Sequence, residues 1–377
     1  MNISPTTRKV ENPTHITAFD TVRGLAALSV VFSHYIIFYG WPVKSLAVKQ
    51  AWTYSPLHIV WDGFAAVSLF YALSGLVLSI KYFRDTKHPD LSQFQLPHFL
   101  TSRVFRIWPP YLAIFLLSYG LRRWVGFFDG ATIPAANNLL FSSWDKSIPF
   151  LQLLQEGLLL RSGDYFLVPQ GWTLPIELAI SLLVPVGILL ASRNTGWLVF
   201  FTLLLIGPLG TTYFVFHFAA GILLARYYSE IRAWLEPRRG WKAAALLMGL
   251  FLYTFRFTLP VYFSWKLAAS IPWLVTGIGS ALLLMVVIAS NRARTFLSLS
   301  WLRFIGRVSY SIYLVHFLVL IELTPRLLRI LNAPASALLS AWWTGLIFTV
   351  LATLGLAALS HRWLEMPSMA FGKSLLK

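Results

Sequence analysis

The chain has 377 residues, of which 57% are hydrophobic, 16% aromatic and only 12% charged, with no cysteine. That balance excludes a soluble globular domain, and the missing thiol excludes disulfides, thiolate catalysis and cysteine-ligated metal. The formal net charge of +17 comes from Lys and Arg scattered singly between apolar runs, so it speaks for membrane topology and against nucleic acid.

Residues 1–18 lack the apolar core and small-residue cleavage site of a signal peptide, so the first apolar run is expected to stay in the protein. Runs long enough to cross a bilayer, about 17 to 25 residues with polar ends, lie near 22–39, 61–80, 105–121 and 172–192. Others follow near 196–209, 213–228, 241–257, 271–290, 304–321 and 338–360. The run at 149–160, PFLQLLQEGLLL, is too short to span and reads as an interfacial or re-entrant piece. With ten spans and the N-terminus inside, 21 of the 31 Lys and Arg fall on the cytoplasmic side and 10 outside. An eleventh span at 149–160 would spoil this positive-inside bias. Tryptophans near run ends, among them Trp41, Trp61, Trp172 and Trp241, read as interfacial anchors. The expected fold is therefore an all-α integral membrane bundle of about ten helices with both termini cytoplasmic. Residues 1–18 form a cytoplasmic segment, 19–360 the membrane domain and 361–377 a cytoplasmic tail.

Charged and polar residues inside these runs mark the candidate chemistry. Arg23 and His34 are eleven residues apart in the first run, almost three helical turns. They share one face within roughly 20° and stand about 16 Å apart along the axis. A cation costs about 2.5 to 3.5 kcal/mol at mid-membrane on insertion scales, so each needs a partner or a task. Asp20 can cap the helix and pair with Arg23, which reads either as a snorkelling anchor or as a binding group. His34 lies too deep to reach an interface, and reads as a packed histidine or an acid/base group. Glu177, in QGWTLPIELAISLLVP, stands about five residues from the outer end of its run, a depth similar to that of His34. A carboxylate and an imidazole at one level are the parts of an acid/base pair, although the carboxylate alone also complements the positive end of its own helix. Arg103 and Arg106, three apart in TSRVFRIWPPYL, present paired guanidiniums suited to phosphate, although topology alone would also put arginines there. Ser74 and Gly75 read as close helix packing, as do His217 and the FAAG that follows it. Gly306, Ser309, Tyr313 and His316 form one small or polar stripe in FIGRVSYSIYLVHFLVL, which must face protein or a cavity. No zinc spacing such as HExxH is present, and no metal is expected.

With those residues in place, the chain resembles the membrane acyltransferase-3 family of O-antigen, exopolysaccharide, glucan and macrolide O-acyltransferases. Arg23 and His34 fit its arginine, ten residues, histidine signature; Arg103 and Arg106 fit its arginine pair. TLPIE, ending at Glu177, fits its tryptophan-led motif, and IGRVSYSIYLVH fits its late serine-tyrosine motif. Two positions depart from the pattern: Ser68 stands where the family often has aspartate, with Asp62 too early to replace it simply, and Thr173 stands where serine is usual.

The resemblance implies an O-acyltransferase of the bacterial cytoplasmic membrane. It would move an acyl group, acetyl being the expected one, from cytoplasmic acyl-CoA to a hydroxyl of a carbohydrate or glycoside acceptor. It further implies that Arg23, Arg103 and Arg106 hold the coenzyme A phosphates. His34 would then deprotonate the acceptor or carry the acyl group, with Glu177 orienting it and Tyr310 or His316 assisting. Loops 125–170 and 257–270 are expected to shape the acceptor pocket. Apart from donor and acceptor the expected partners are membrane lipids, with no nucleic acid. A proton-coupled transporter or flippase is the rival reading, since intramembrane His and Glu residues also relay protons.

Overall fold

The computed structural model describes residues 17–43, 45–84, 86–89, 91, 94–124, 148–160, 165–207, 213–258, 270–331 and 338–376. The segment 1–16 and most of the loops at 125–170 and 257–270 lie outside the described residues. Every regular element among the described residues is helical.

Helix α1 (Thr17–Tyr39) carries Asp20 in its first turn, 3.7 Å from Arg23. Helix α2 (Leu46–Thr53), capped by the Ser45 hydroxyl, leads through a 3-10 turn (Pro56–Trp61) to Asp62 and helix α3 (Gly63–Ser79). Helix α4 (Leu96–Trp124) contains Pro109 and Pro110. Pro109 has no N–H to give the carbonyl of Phe105, and that carbonyl accepts the hydroxyl of Ser368 near the C-terminus instead.

Helix α5 (Phe150–Gly157) occupies the short apolar run. Phe150, Leu151 and Leu154 are exposed on it, while Glu156 is buried and accepts the backbone N–H groups of Phe166 and Leu167 at 3.0 and 3.3 Å. The buried carboxylate thus folds the following turn back under the helix, and no sequence pattern singled it out. A 3-10 turn (Pro169–Trp172) then runs directly into α6 (Thr173–Arg193), and α7 (Thr195–Ile206) follows after Asn194, whose side chain accepts the Gly196 N–H at 2.7 Å.

Helices α8 (Phe214–Arg226), α9 (Tyr228–Leu235), α10 (Arg239–Tyr253), α11 (Ser270–Ala289) and α12 (Asn291–Leu297) continue the bundle. Next come α13 (Ser300–Arg307), α14 (Ser309–Leu318), a π-turn (Val319–Leu323) and α15 (Thr324–Leu331). The chain closes with α16 (Leu338–Ser360), a second π-turn (His361–Glu365) and α17 (Met366–Ser374). The C-terminal segment is therefore helical, and α17 packs back on α4 with Gly372 against Phe105.

Among the described residues, five helical stretches are long and apolar enough to cross a membrane: Thr17–Tyr39, Leu96–Trp124, Pro169–Arg193, Ser270–Ala289 and Leu339–Ser374. A sixth is the pair Ser300–Arg307 and Ser309–Leu331, bent by 66°, and Gly63–Ser79, Thr195–Ile206 and Phe214–Arg226 are shorter apolar helices. The chain is a multi-pass membrane protein. The run at 304–321, read as one straight helix, is instead broken near Val308. Trp301, Arg303, Phe304 and Arg307 of α13 are exposed while Leu302 and Ile305 are buried, so α13 is amphipathic and lies across the axis that α14 follows.

Two glycine contacts draw the centre of the bundle together. A Cβ on Gly24 of α1 would stand 2.6 Å from the Gly306 backbone nitrogen, and one on Gly306 would stand 2.6 Å from the Asp20 carbonyl carbon. On the other side of α3, a Cβ on Gly75 would strike the Phe218 carbonyl and one on Gly221 the Ala72 carbonyl. Backbones meet at these points because no side chain intervenes, as in small-residue packing of membrane helices. Helix α13 is thereby held against α1 and α3 against α8, and α3 also packs on α1. Leu116, Leu183, Leu203, Leu247 and Leu351 stay exposed on the outside, as lipid-facing residues do.

Candidate active site

Two cavities meet inside the bundle. The first, about 180 Å³, gathers Asp20 and Arg23 from α1, Ser74 from α3, Arg103 and Arg106 from α4, Glu177 from α6 and Tyr310 from α14. The arginine pair therefore joins Arg23 in one chamber although eighty residues of chain separate them. Glu177 accepts the Ser74 hydroxyl at 3.2 Å, which gives Ser74 a polar contact in addition to its place in a packed helix. Tyr310 donates to the Ile107 carbonyl at 2.6 Å, and an Arg106 nitrogen reaches the Met369 sulfur at 3.8 Å. The Arg103 Nε is buried with no hydrogen-bond partner among the described residues. Three guanidiniums face two carboxylates here, so the chamber carries a surplus positive charge and unfilled donors. That is the chemistry of an anion site.

The second cavity, about 730 Å³, is lined by His34 together with aromatic side chains from several elements, including Trp41, Trp61, Trp172 and Trp273. Asp62, Gln170 and Arg256 are polar groups on its wall. His34 is hydrogen-bonded not to Glu177 but to His316, with Nδ1 of His34 and Nε2 of His316 3.0 Å apart and the two rings 12° from parallel. His316 is fully buried, and its own Nδ1 stands 2.8 Å from the Tyr313 carbonyl and 3.3 Å from that of Ile312. Carbonyls only accept, so Nδ1 of a neutral His316 carries the proton and its Nε2 is an acceptor. His34 must then donate from Nδ1, which leaves its Nε2 as a bare lone pair. Phe317 closes on both rings edge-on, with centroids 4.7 Å from His34 and 5.1 Å from His316.

The expected pairing of His34 with Glu177 is thus replaced by a histidine pair. A depth counted in residues from the start of α6 holds only if that start lies at the membrane surface. The turn that precedes it is sunk into the bundle, where Gln170 is 2% exposed and donates from Nε2 to the Tyr313 and Leu314 carbonyls at 3.1 and 2.8 Å. Glu177 therefore falls a layer further in, among the arginines. Tyr310 belongs to that layer too, while His316 alone among the expected helpers reaches His34.

Tyr313 and Val67 line both cavities and form the neck between them. The Tyr313 hydroxyl donates to the Gln170 carbonyl at 2.7 Å and stands 2.6 Å from the Thr173 hydroxyl, so the neck is tied to the start of α6. The hydroxyl retained at Thr173 is what makes that tie. The polar stripe of the late motif follows the whole path: Gly306 packs on α1, Ser309 faces the arginines, Tyr313 forms the neck and His316 holds His34. Ser68 is fully buried, has no hydrogen-bond partner among the described residues and does not line either cavity. His217 is also fully buried, with Nε2 3.1 Å from the Trp273 carbonyl behind the aromatic wall, in keeping with a packing role.

Outside the spanning helices, His58 also lines the aromatic cavity. Its Nδ1 accepts the Trp61 indole N–H at 3.1 Å, and burial pushes the imidazole down to about 4, so the ring is neutral.

A family model described as an acyltransferase domain matches residues 16–361. No curated protein and no solved structure matches the chain significantly.

Proposed function

The chain belongs to the acyltransferase-3 family, and from that premise we propose that it transfers an acyl group, acetyl in the first instance, from cytoplasmic acyl-CoA to a hydroxyl of a carbohydrate or glycoside on the far side of the bacterial inner membrane. The frame for this reading is ten helices with both termini cytoplasmic, which opens the arginine chamber inward and the aromatic cavity outward.

Arg23, Arg103 and Arg106 would bind the phosphates of the donor, with Glu177 and Asp20 keeping the guanidiniums apart and aimed. The thin pantetheine arm is the part of the donor suited to pass between Val67 and Tyr313, bringing the thioester to His34. His34 Nε2 takes the proton from the acceptor hydroxyl as its oxygen attacks the thioester carbonyl. The tetrahedral intermediate then collapses, the C–S bond breaks, and the thiolate of CoA recovers the proton from the imidazolium. His316 keeps His34 in the tautomer that leaves Nε2 basic, the orienting part that a carboxylate plays in a serine hydrolase triad.

The observation that carries this reading is the His34–His316 hydrogen bond with His316 Nδ1 on backbone carbonyls, which gives a base of defined tautomer at the far end of a path that begins in arginines. The test is His34→Ala in proteoliposomes or source cells. Ester formation and acceptor-dependent CoA release should fall to background while CoA still binds. A variant that keeps its activity removes His34 from the reaction.

A further inference from the structure

The aromatic cavity holds a carboxylate that the transfer step does not use. Asp62 stands just before α3 and is 1% exposed. Its Oδ1 accepts the Ala65 N–H at 2.8 Å and so caps the helix. That bond fixes the side chain but occupies one oxygen only. Oδ2 is buried and has no hydrogen-bond partner among the described residues. His58 Nε2 is 3.9 Å from it, beyond hydrogen-bond reach, and the His58 ring is already engaged by Trp61 and by the backbone of Thr53. Serine or asparagine would cap the helix equally well without burying a second, unfilled oxygen. A buried acceptor left open in this way needs a partner from outside the chain.

The surroundings say what kind of partner. Arg256, also on the cavity wall, lies over the Phe64 ring at 4.3 Å, and its charge favours the ionised Asp62 against the burial that pushes this carboxyl up to about 7. Balanced charges favour a neutral ligand over a cation or an anion. Trp172 and Trp273 supply apolar faces beside them, 6.3 Å apart between centroids. A carboxylate that accepts, a guanidinium that donates and aromatic walls together fit a neutral ring bearing several hydroxyls.

We infer that Asp62 Oδ2 binds a hydroxyl of the acceptor other than the one that is acylated, and by doing so selects which hydroxyl is presented to His34. The inference deepens the proposed transfer reaction and rests on it. Gly63 ties the two positions together: a Cβ there would stand 2.9 Å from the Ser33 side chain, so the residue after Asp62 is packed against the neighbour of His34.

The test uses source cells lacking the gene and complemented with the wild type, Asp62→Asn, Asp62→Ser or His34→Ala. The restored ester is quantified by mass spectrometry and its position read by NMR. CoA binding to each purified full-length protein reports on the donor side. Asp62→Asn and Asp62→Ser both keep a helix cap, so both should fold and bind CoA within about twofold of wild type. Both should lower the ester by about tenfold or more, the loss expected for a hydrogen bond to a charged group, or move it to another hydroxyl. The same ester at the same position and wild-type level in both variants overturns the role of Asp62. So does a parallel loss of ester and CoA binding, which would make Asp62 a cap and nothing more. An ester restored by His34→Ala, or no ester attributable to the wild type, overturns the transfer reaction itself, and the subsite with it.

Discussion

His316 is a residue whose importance depends on a single nitrogen. Its Nδ1 is held by carbonyls, its Nε2 meets His34 and it lines neither cavity, so in the proposed reaction its part is to position His34. Replacing it by phenylalanine keeps an aromatic ring but removes the acceptor, and His34 is then free to take the wrong tautomer. We expect His316→Phe to lower kcat by about 10² to 10⁴-fold with the KM for acetyl-CoA little changed. His316→Gln, whose amide oxygen can accept from His34 Nδ1, should recover part of that loss. Steady-state kinetics decides: a rise in KM with kcat intact would place His316 in donor binding instead. The histidine itself was legible in the sequence as part of a polar stripe, but its partner was not. The two residues are 282 positions apart, and helical periodicity carries no information about which face of which other helix a stripe will meet.

At the scale of elements, the bundle depends on backbone contacts that a methyl group would disrupt. Ser74 and Gly75 of α3 read as close helix packing, and Gly75 does meet the Phe218 carbonyl with no room for a Cβ. Gly75→Ala should therefore cost about 1 to 3 kcal/mol through overpacking, read as a lower midpoint of thermal unfolding in detergent. Gly355 on α16 has nothing within 4 Å of the Cβ position, and Gly355→Ala should be neutral or raise the midpoint slightly, since alanine favours a helix by up to about 1 kcal/mol over glycine. Equal effects of the two substitutions would contradict the packing. The bend between α13 and α14 is a second element-scale feature. The hydrophobic run at 304–321 predicts a helix well enough, yet it cannot say that the residues before Val308 turn to lie across the end of α1, because that depends on the close approach of Gly306 to Asp20 and Thr21.

For the whole molecule, the separation of arginines from histidines along one path matters only if the two ends open on opposite sides of the membrane. The absence of native cysteine makes this directly measurable with single-cysteine variants. Trp52 of α2 and Ser374 of α17 are both exposed. A membrane-impermeant maleimide added to intact spheroplasts should label Trp52→Cys at once, and Ser374→Cys only after the membrane is opened. Labelling of both from outside would refute the ten-helix topology and with it the direction of transfer.

The sequence by itself determined what kind of solvent the chain lives in and which residues are too costly there to be idle. Those properties follow from hydrocarbon content and single-residue transfer energies, which are local and additive along a run. A common task for Arg23, Arg103 and Arg106 is implied only by the family resemblance, since topology alone also places arginines at the inner ends of apolar helices. The tertiary structure alone decided the partners. Glu177 went to the arginines because the turn at 169–172 is sunk into the bundle and shifts the start of α6 inward, which no count of residues from a helix end can reveal. His316 went to His34, and Asp62 was left with one open oxygen, because hydrogen bonds are settled by the geometry of whichever helices the glycine contacts bring together.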